Sequence, residues 1–291
     1  MLKGSIVALV TPFNEKNEID YPELSRLLEY HVENKTDGIL LLGTTAEAES
    51  LQDEEKQELV RYALDVLKDR IPVMVGIIAN TPQKTIELAK LFDSFPIDSY
   101  LVSAPYYIKS NTEGLLKHFT YIADHVAHPI VLYNVPKRSG LNLDVDVVRF
   151  LSYHPKIIGI KEASGNFEYQ TKISLLCNSN FVLYGADDLT MLASLGVGAV
   201  GIISVINNAF PKEVKLIIDS YSKERQISSL TYKKISKLTE DIFKEASPIP
   251  VKYLLFLQGF KTRRLRMPLA EPSIGLRRKL EEDYLEFVDE D

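Results

Sequence analysis

Eight short runs of β-forming residues punctuate the first 205 positions, at residues 5–10, 38–42, 72–77, 99–103, 129–133, 157–161, 181–184 and 200–205. Most are continuous apolar stretches rather than alternating ones. Such runs suit strands buried on both faces, as in parallel sheets. Helical patterns lie between them. Residues 21–34 carry Leu24, Leu27, Leu28 and Val32 on one face, with Asp20 placed as an N-cap. Residues 53–67 show Leu59, Val60, Ala63, Val66 and Leu67, and Thr81-Pro82 opens a third helix with a cap and a first-turn proline. Residues 112–126 and 144–151 continue the alternation. Repeated strand–helix units predict a parallel sheet with right-handed crossovers. Eight of them suit closure as a (β/α)8 TIM barrel, with a doubly wound open sheet as the alternative.

After about Phe210 the strands stop. Helical periodicity continues at residues 214–221, 229–244, 250–258 and 274–287, broken at Ser247-Pro248-Ile249-Pro250 and around Pro268 and Pro272. This predicts a catalytic barrel over 1–224 and a C-terminal helical segment, 225–291, packed on it. No low-complexity linker separates the two.

Composition narrows the function. The 291 residues are 45% hydrophobic and 25% charged, which is ordinary for a globular chain. The net charge is -6, and no basic stripe marks a nucleic-acid binder. The acidic residues 281–283 and 289–291 read as a solvated helix end and tail. The one cysteine, Cys177, excludes a disulfide framework within the chain and reads as a buried, inert thiol in an apolar helix. The N-terminal apolar run spans five residues, shorter than a signal-peptide core of about 7–15. No run approaches the roughly 18 needed to span a bilayer. A cytoplasmic protein with no membrane partner is expected.

Barrel enzymes work at the C-terminal ends of their strands. Those ends read Gly43-Thr44-Thr45-Ala46-Glu47, Ala104-Pro105-Tyr106-Tyr107, Tyr133 to Gly140, Lys161-Glu162-Ala163 and Gly185-Ala186-Asp187-Asp188. Lys161 terminates a strongly apolar run. Burial would favour its neutral amine, and a neutral amine can attack a carbonyl to form a Schiff base. The plainer reading is a lysine that caps the strand and points to solvent. Tyr133 ends the preceding strand and should neighbour Lys161, where a phenol could carry protons. Thr44 and Thr45 offer hydroxyls and backbone N–H groups to a carboxylate. Arg138, on a loop over the mouth, suits bidentate carboxylate binding, or else pairs with a surface acid. Tyr106 and Tyr107 could pack at the core edge or at an interface.

Other signals carry less. Residues 196–201 fit G-x-G-x-x-G, but they follow a helix and lead into a strand, the reverse of a dinucleotide fingerprint. The five histidines form no metal-ligand pattern, and Asp187-Asp188 reads as helix capping. No metal and no organic cofactor are expected.

The motifs together resemble the Schiff-base-forming (β/α)8 family of dihydrodipicolinate synthase and N-acetylneuraminate lyase. The likeness rests on Gly43 to Glu47, Pro105-Tyr106-Tyr107, Tyr133 to Pro136 with Arg138-Ser139-Gly140, and Gly159 to Ala163. It continues through Gly201 to Val205, Pro248 to Lys252 and Leu265 to Leu269, so it spans essentially the whole chain. Arg138 is similar to the synthase side of the family. The resemblance implies that Lys161 forms an imine with pyruvate, whose carboxylate sits on the Thr44 and Thr45 backbone. It implies that the derived enamine attacks aspartate semialdehyde held by Arg138. Tyr133, Thr44 and Tyr107 would form a proton relay, Tyr107 reaching in from a neighbouring subunit of a dimer or tetramer. Ile203 and the Ala186 carbonyl would complete the substrate site. The chain departs from the family pattern at Ala46, Ala186 and Ser247. Ala46 would be strained if that position needs a positive φ. Cleavage of a 2-keto-3-deoxy sugar acid or sialic acid, and a non-catalytic relative, are the rival readings.

Overall fold

A computed structural model describes residues 1–289. In chain order its strands are β1 (Gly4–Ala8), β2 (Gly38–Leu41), β3 (Val73–Ile77), β4 (Ser99–Ser103), β5 (Ile130–Asn134), β6 (Ile157–Glu162), β7 (Val182–Gly185) and β8 (Gly201–Ser204). Each is parallel to its neighbours, and β8 pairs with β1 to close the barrel. Every predicted run lies within two residues of an observed strand. The open-sheet alternative is excluded by the β1–β8 register, in which Gly4 faces Gly201.

The helices that wrap the barrel are α1 (Tyr21–Glu33), α2 (Asp53–Leu67), α3 (Pro82–Lys90), α4 (Thr112–His125), α5 (Pro136–Ser139), α6 (Val145–Leu151), α7 (Phe167–Ser174), α8 (Met191–Gly196) and α9 (Pro211–Ser220). Their starts are chemically marked. Asp20, Thr81, Asn111 and Asn166 each accept a backbone N–H in the first turn of α1, α3, α4 and α7. Three further helices follow: α10 (Arg225–Asp241), α11 (Ile249–Leu257) and α12 (Ile274–Asp289). α10 packs on α9 and α12, and α11 packs on α12. None of the described helices is long and apolar enough to cross a membrane.

Strand alternation sorts the core into two layers. One set of side chains, including Ile39, Val75, Leu132, Ile160 and Leu183, faces the helices. The other fills the barrel: Ile6, Leu40, Met74, Leu101, Val131, Tyr133, Tyr184 and Ile203. The residues of both layers are buried.

Two glycines set the seam. A Cβ on Gly201 would stand 2.5 Å from the Gly4 carbonyl oxygen, and Gly4 itself has a φ of +89°. Gly201, the last glycine of the G-x-G-x-x-G run, therefore serves close backbone approach.

Several local expectations change. Cys177 lies three residues past the end of α7 and is half-buried, with burial pushing its thiol up to about 11. His118, expected on a polar helix face, is buried on α4, where desolvation lowers it to about 4. Within the acidic stretch, Asp283 lies on α12 in an ion pair with Lys279. Glu290 and Asp291 lie outside the described residues.

Candidate active site

The β5–β6 register places Tyr133 beside Lys161, and Asn134 beside Glu162. Alternation then divides the labour. Tyr133 and Lys161 point into the barrel, while Asn134 and Glu162 point outward. Asn134 Nδ2 donates to Glu162 Oε2 at 2.7 Å and to Asn142 Oδ1 at 2.9 Å. Glu162 also accepts the Ser164 N–H at 2.7 Å, and the Leu143 N–H donates to Asn134 Oδ1. The outward pair thus anchors the loops that follow both strands. The inward pair is held against the mouth.

Lys161 is 6% exposed, and its Nζ stands 4.5 Å from the centroid of the Tyr133 ring. The described residues give that nitrogen no hydrogen-bond acceptor. Burial lowers its pKa to about 7, with Asp188 opposing and Arg138 adding to the fall. A substantial fraction of the amine is then unprotonated at neutral pH. An ordinary lysine, with a pKa of about 10.4, offers roughly one part in 10³. Burial raises the Tyr133 phenol, with the nearby Thr44 hydroxyl and Arg138 opposing.

The mouth is a cavity of about 330 Å³ lined by Thr44, Ser103, Tyr133, Arg138, Ser247 and Arg266, among others. That volume suits a small ligand. Thr44 opens a tight 3-10 turn, Thr44–Ala46, directly after β2 and Gly43. A turn of this kind leaves its leading amide N–H groups without internal partners, free for an anion. Ala46 is helical and carries no positive φ, so alanine costs nothing there. The left-handed positions are instead Leu42 (φ 53°) and Glu47 (φ 56°), one on each side of the turn. Thr45 is buried, its hydroxyl 3.5 Å from that of Ser247.

Arg138 lies on α5, a single helical turn after β5 rather than an open loop. Its Nη2 donates to the Ser247 carbonyl at 2.8 Å, which holds the guanidinium over the cavity. Ile203, fully buried, is part of the barrel interior with Tyr133. Ala186 follows β7 directly and is half-buried. Tyr107 stands apart: it is 94% exposed at a φ of +67°, and this chain does not bring it to the Tyr133 phenol.

Two features escape local sequence patterns. Asp187 does cap, accepting the Leu189 N–H, but Asp188 is fully buried. Asp188 Oδ2 accepts the Val205 and Ile206 N–H groups at 2.9 Å each, tying the end of β7 to the turn after β8. Burial raises its pKa to about 6, with Ser204 and those two amides opposing. A second acid beside one that already satisfies the cap is the only sequence sign of this. The other feature is Lys252, fully buried on α11 and paired with Glu47 at 2.7 Å. A lysine inside the apolar run Val251 to Leu255 is the same signal that singled out Lys161.

The dihydrodipicolinate synthetase family matches residues 1–285. The 4-hydroxy-tetrahydrodipicolinate synthase of Clostridium perfringens strain SM101 is 38% identical over 272 residues, 93% of each chain. That of Azobacteroides pseudotrichonymphae is 39% identical over 271 residues, 92% of each. The dihydrodipicolinate synthase of Thermotoga maritima superposes with a TM-score of 0.96 at 32% identity, covering 99% of both chains. The chloride-inhibited enzyme of Acinetobacter baumannii, solved in complex with pyruvate, also gives 0.96, at 34% identity and 99% coverage of both. With barrel, mouth and C-terminal helices all inside these matches, the chain belongs to the dihydrodipicolinate synthetase family of lyases.

Proposed function

We propose that this enzyme condenses pyruvate with L-aspartate 4-semialdehyde, the 4-hydroxy-tetrahydrodipicolinate synthase reaction of diaminopimelate and lysine biosynthesis. The observation that carries the reading is Lys161, a buried amine lowered to about 7 and set against the ring of Tyr133, whose side chain lines the open cavity. The relatives' names and the pyruvate-bound Acinetobacter baumannii structure support it.

The neutral Lys161 amine attacks the pyruvate ketone, and the carbinolamine loses water to give an imine. The pyruvate carboxylate sits on the Thr44 and Thr45 amides. Loss of a methyl proton gives an enamine, whose carbon attacks the aldehyde. Arg138 holds the carboxylate of this second substrate. The substrate amine then displaces Lys161 by transimination, which closes the ring and frees the lysine. One water is released overall. Tyr133 and Thr44 shuttle the protons, with Tyr107 supplied by a neighbouring copy, so the working form is at least a dimer. Ile203 and the Ala186 carbonyl line the same site. Residues 1–224 act as the catalytic barrel and 225–291 as a helical segment packed on it, in a cytoplasmic enzyme that needs no metal or organic cofactor.

The test is product analysis with both substrates, alongside borohydride trapping with pyruvate alone. A single adduct on Lys161 and a cyclised product with aspartate semialdehyde are expected. Trapping without that product, but with turnover of a 2-keto-3-deoxy sugar acid, would replace the synthase reading with an aldolase one.

A further inference from the structure

Glu47 comes directly after the Thr44–Ala46 turn, in left-handed backbone that a side chain adopts only at a cost. Its carboxylate is buried at 1% exposure and has assigned partners. Oε1 accepts Lys252 Nζ at 2.7 Å, and Oε2 accepts the Arg266 N–H at 2.9 Å. Lys252 Nζ also donates to the Thr11 carbonyl at 2.8 Å, and the Thr11 hydroxyl donates to the Ala46 carbonyl at 2.7 Å. The path from Ala46 through Glu47, Lys252 and Thr11 back to Ala46 is closed. It grips the end of the turn from α11 on one side and from the segment after β1 on the other. The Phe13 ring, 4.5 Å from Lys252 Nζ, covers the pair.

A buried ion pair is a poor source of stability compared with apolar side chains of equal volume, but it fixes geometry. Here the geometry fixed is that of a turn at the mouth. We propose that Glu47 and Lys252 are positioning residues for the reaction, their ion pair acting through Thr11 to hold the Thr44 and Thr45 amides toward the pyruvate carboxylate. This rests on the reading of that turn given above. Neither residue transfers a proton to substrate; both act through the backbone between Thr44 and Ala46.

Two variants test it: Thr11→Val and the double variant Glu47→Gln/Lys252→Met. Thr11→Val removes one neutral hydrogen bond and leaves no charge unpaired. The double variant removes both charges at nearly constant volume, so neither is left buried and unpaired. The expected result is a rise in KM for pyruvate, about 5- to 20-fold in Thr11→Val and larger in the double variant. Labelling of Lys161 by borohydride at saturating pyruvate, and KM for aspartate semialdehyde, should stay within about twofold of the parent. A merely structural role would lower the melting temperature and leave that split unchanged. A KM for pyruvate within about twofold of the parent in both folded variants would overturn the positioning role alone. A parent chain that pyruvate and borohydride fail to label would overturn the pyruvate reading, and this proposal with it.

Discussion

The protein buries two lysines, one in the barrel mouth and one in the helices that follow the barrel, and they are set up for opposite purposes. Lys252 is fully buried, yet its Nζ meets a carboxylate and a carbonyl at hydrogen-bond distance. Lys161 is almost as buried and meets an aromatic face. Burial lowers both, to about 8 and about 7 respectively. The difference lies in what is left over. The Lys252 ammonium is held by fixed acceptors and closed off from substrate. The Lys161 nitrogen keeps an uncommitted lone pair once it loses its proton, against the ring of Tyr133, which lines a cavity that can admit a ketone. A depressed pKa is therefore not sufficient for a nucleophile; the amine must also be unpaired and reachable.

Substitution at the two positions should separate them most sharply. Lys161→Ala should abolish borohydride-trapped labelling by pyruvate and lower kcat by at least about 10³-fold. Labelling that survives the change would move the nucleophile elsewhere and break the contrast. Lys252→Met should keep Lys161 labelling but lose about 3–5 kcal/mol of stability in denaturant unfolding, because Glu47 is left buried and unpaired. Lys161→Met should show no such loss, since it strands no partner. Equal destabilisation by the two methionines would show that Lys161 carries an ion pair after all.

The mouth offers a second comparison, between the two substrates. Arg138→Ala should reduce kcat/KM for aspartate semialdehyde by about 30- to 1000-fold, roughly 2–4 kcal/mol, with pyruvate labelling little changed. Equal damage to both substrates would make the arginine a strut for the Ser247 carbonyl rather than a clamp.

Titration gives the smallest and finest test. Imine formation needs the neutral amine, so its rate should climb through an inflection near pH 7, set by the lowered Lys161. Stability should follow the same group. Between about pH 7 and the ordinary lysine range near 10.4, the unfolded chain binds the proton that folded Lys161 has released, so stability rises with pH across that window. Lys252 contributes with the same sign over the shorter window above about 8. Lys161→Met should flatten the curve between about pH 7 and 8 and roughly halve its slope from there to about 10.4, where Lys252 alone remains. An unchanged curve would mean that folded Lys161 holds its proton like an exposed lysine.

The barrel is legible in the sequence because its strands are continuous apolar runs, and such runs mark parallel sheets whatever packs outside. Lys161, Tyr133, Thr44 and Arg138 are legible because strand ends are where barrel chemistry sits, and the β5–β6 register does bring the first two together. The short helix α7 carries too few apolar repeats to announce itself; Phe167–Ser174 reads FEYQTKIS. Glu47 and Lys252 are 205 positions apart, so no local pattern joins them. Asp188 resembles its capping neighbour until the β8 turn folds over it. Where one side chain's role is fixed by backbone arriving from far along the chain, periodicity is silent.

The Gly4–Gly201 seam also sets an order of events during synthesis. A ribosome that has made 200 residues has made seven strands and no barrel. Until Gly201 is free to dock, β1 and β7 both present a bare edge, with open N–H and C=O groups that invite pairing with other chains. The latches around the seam arrive later still: Asn207 reaches Ser5, and Asn208 reaches the Ala8 carbonyl and the Val10 N–H. Closure is thus the most non-local step in the barrel, and the one on which the nascent chain waits longest.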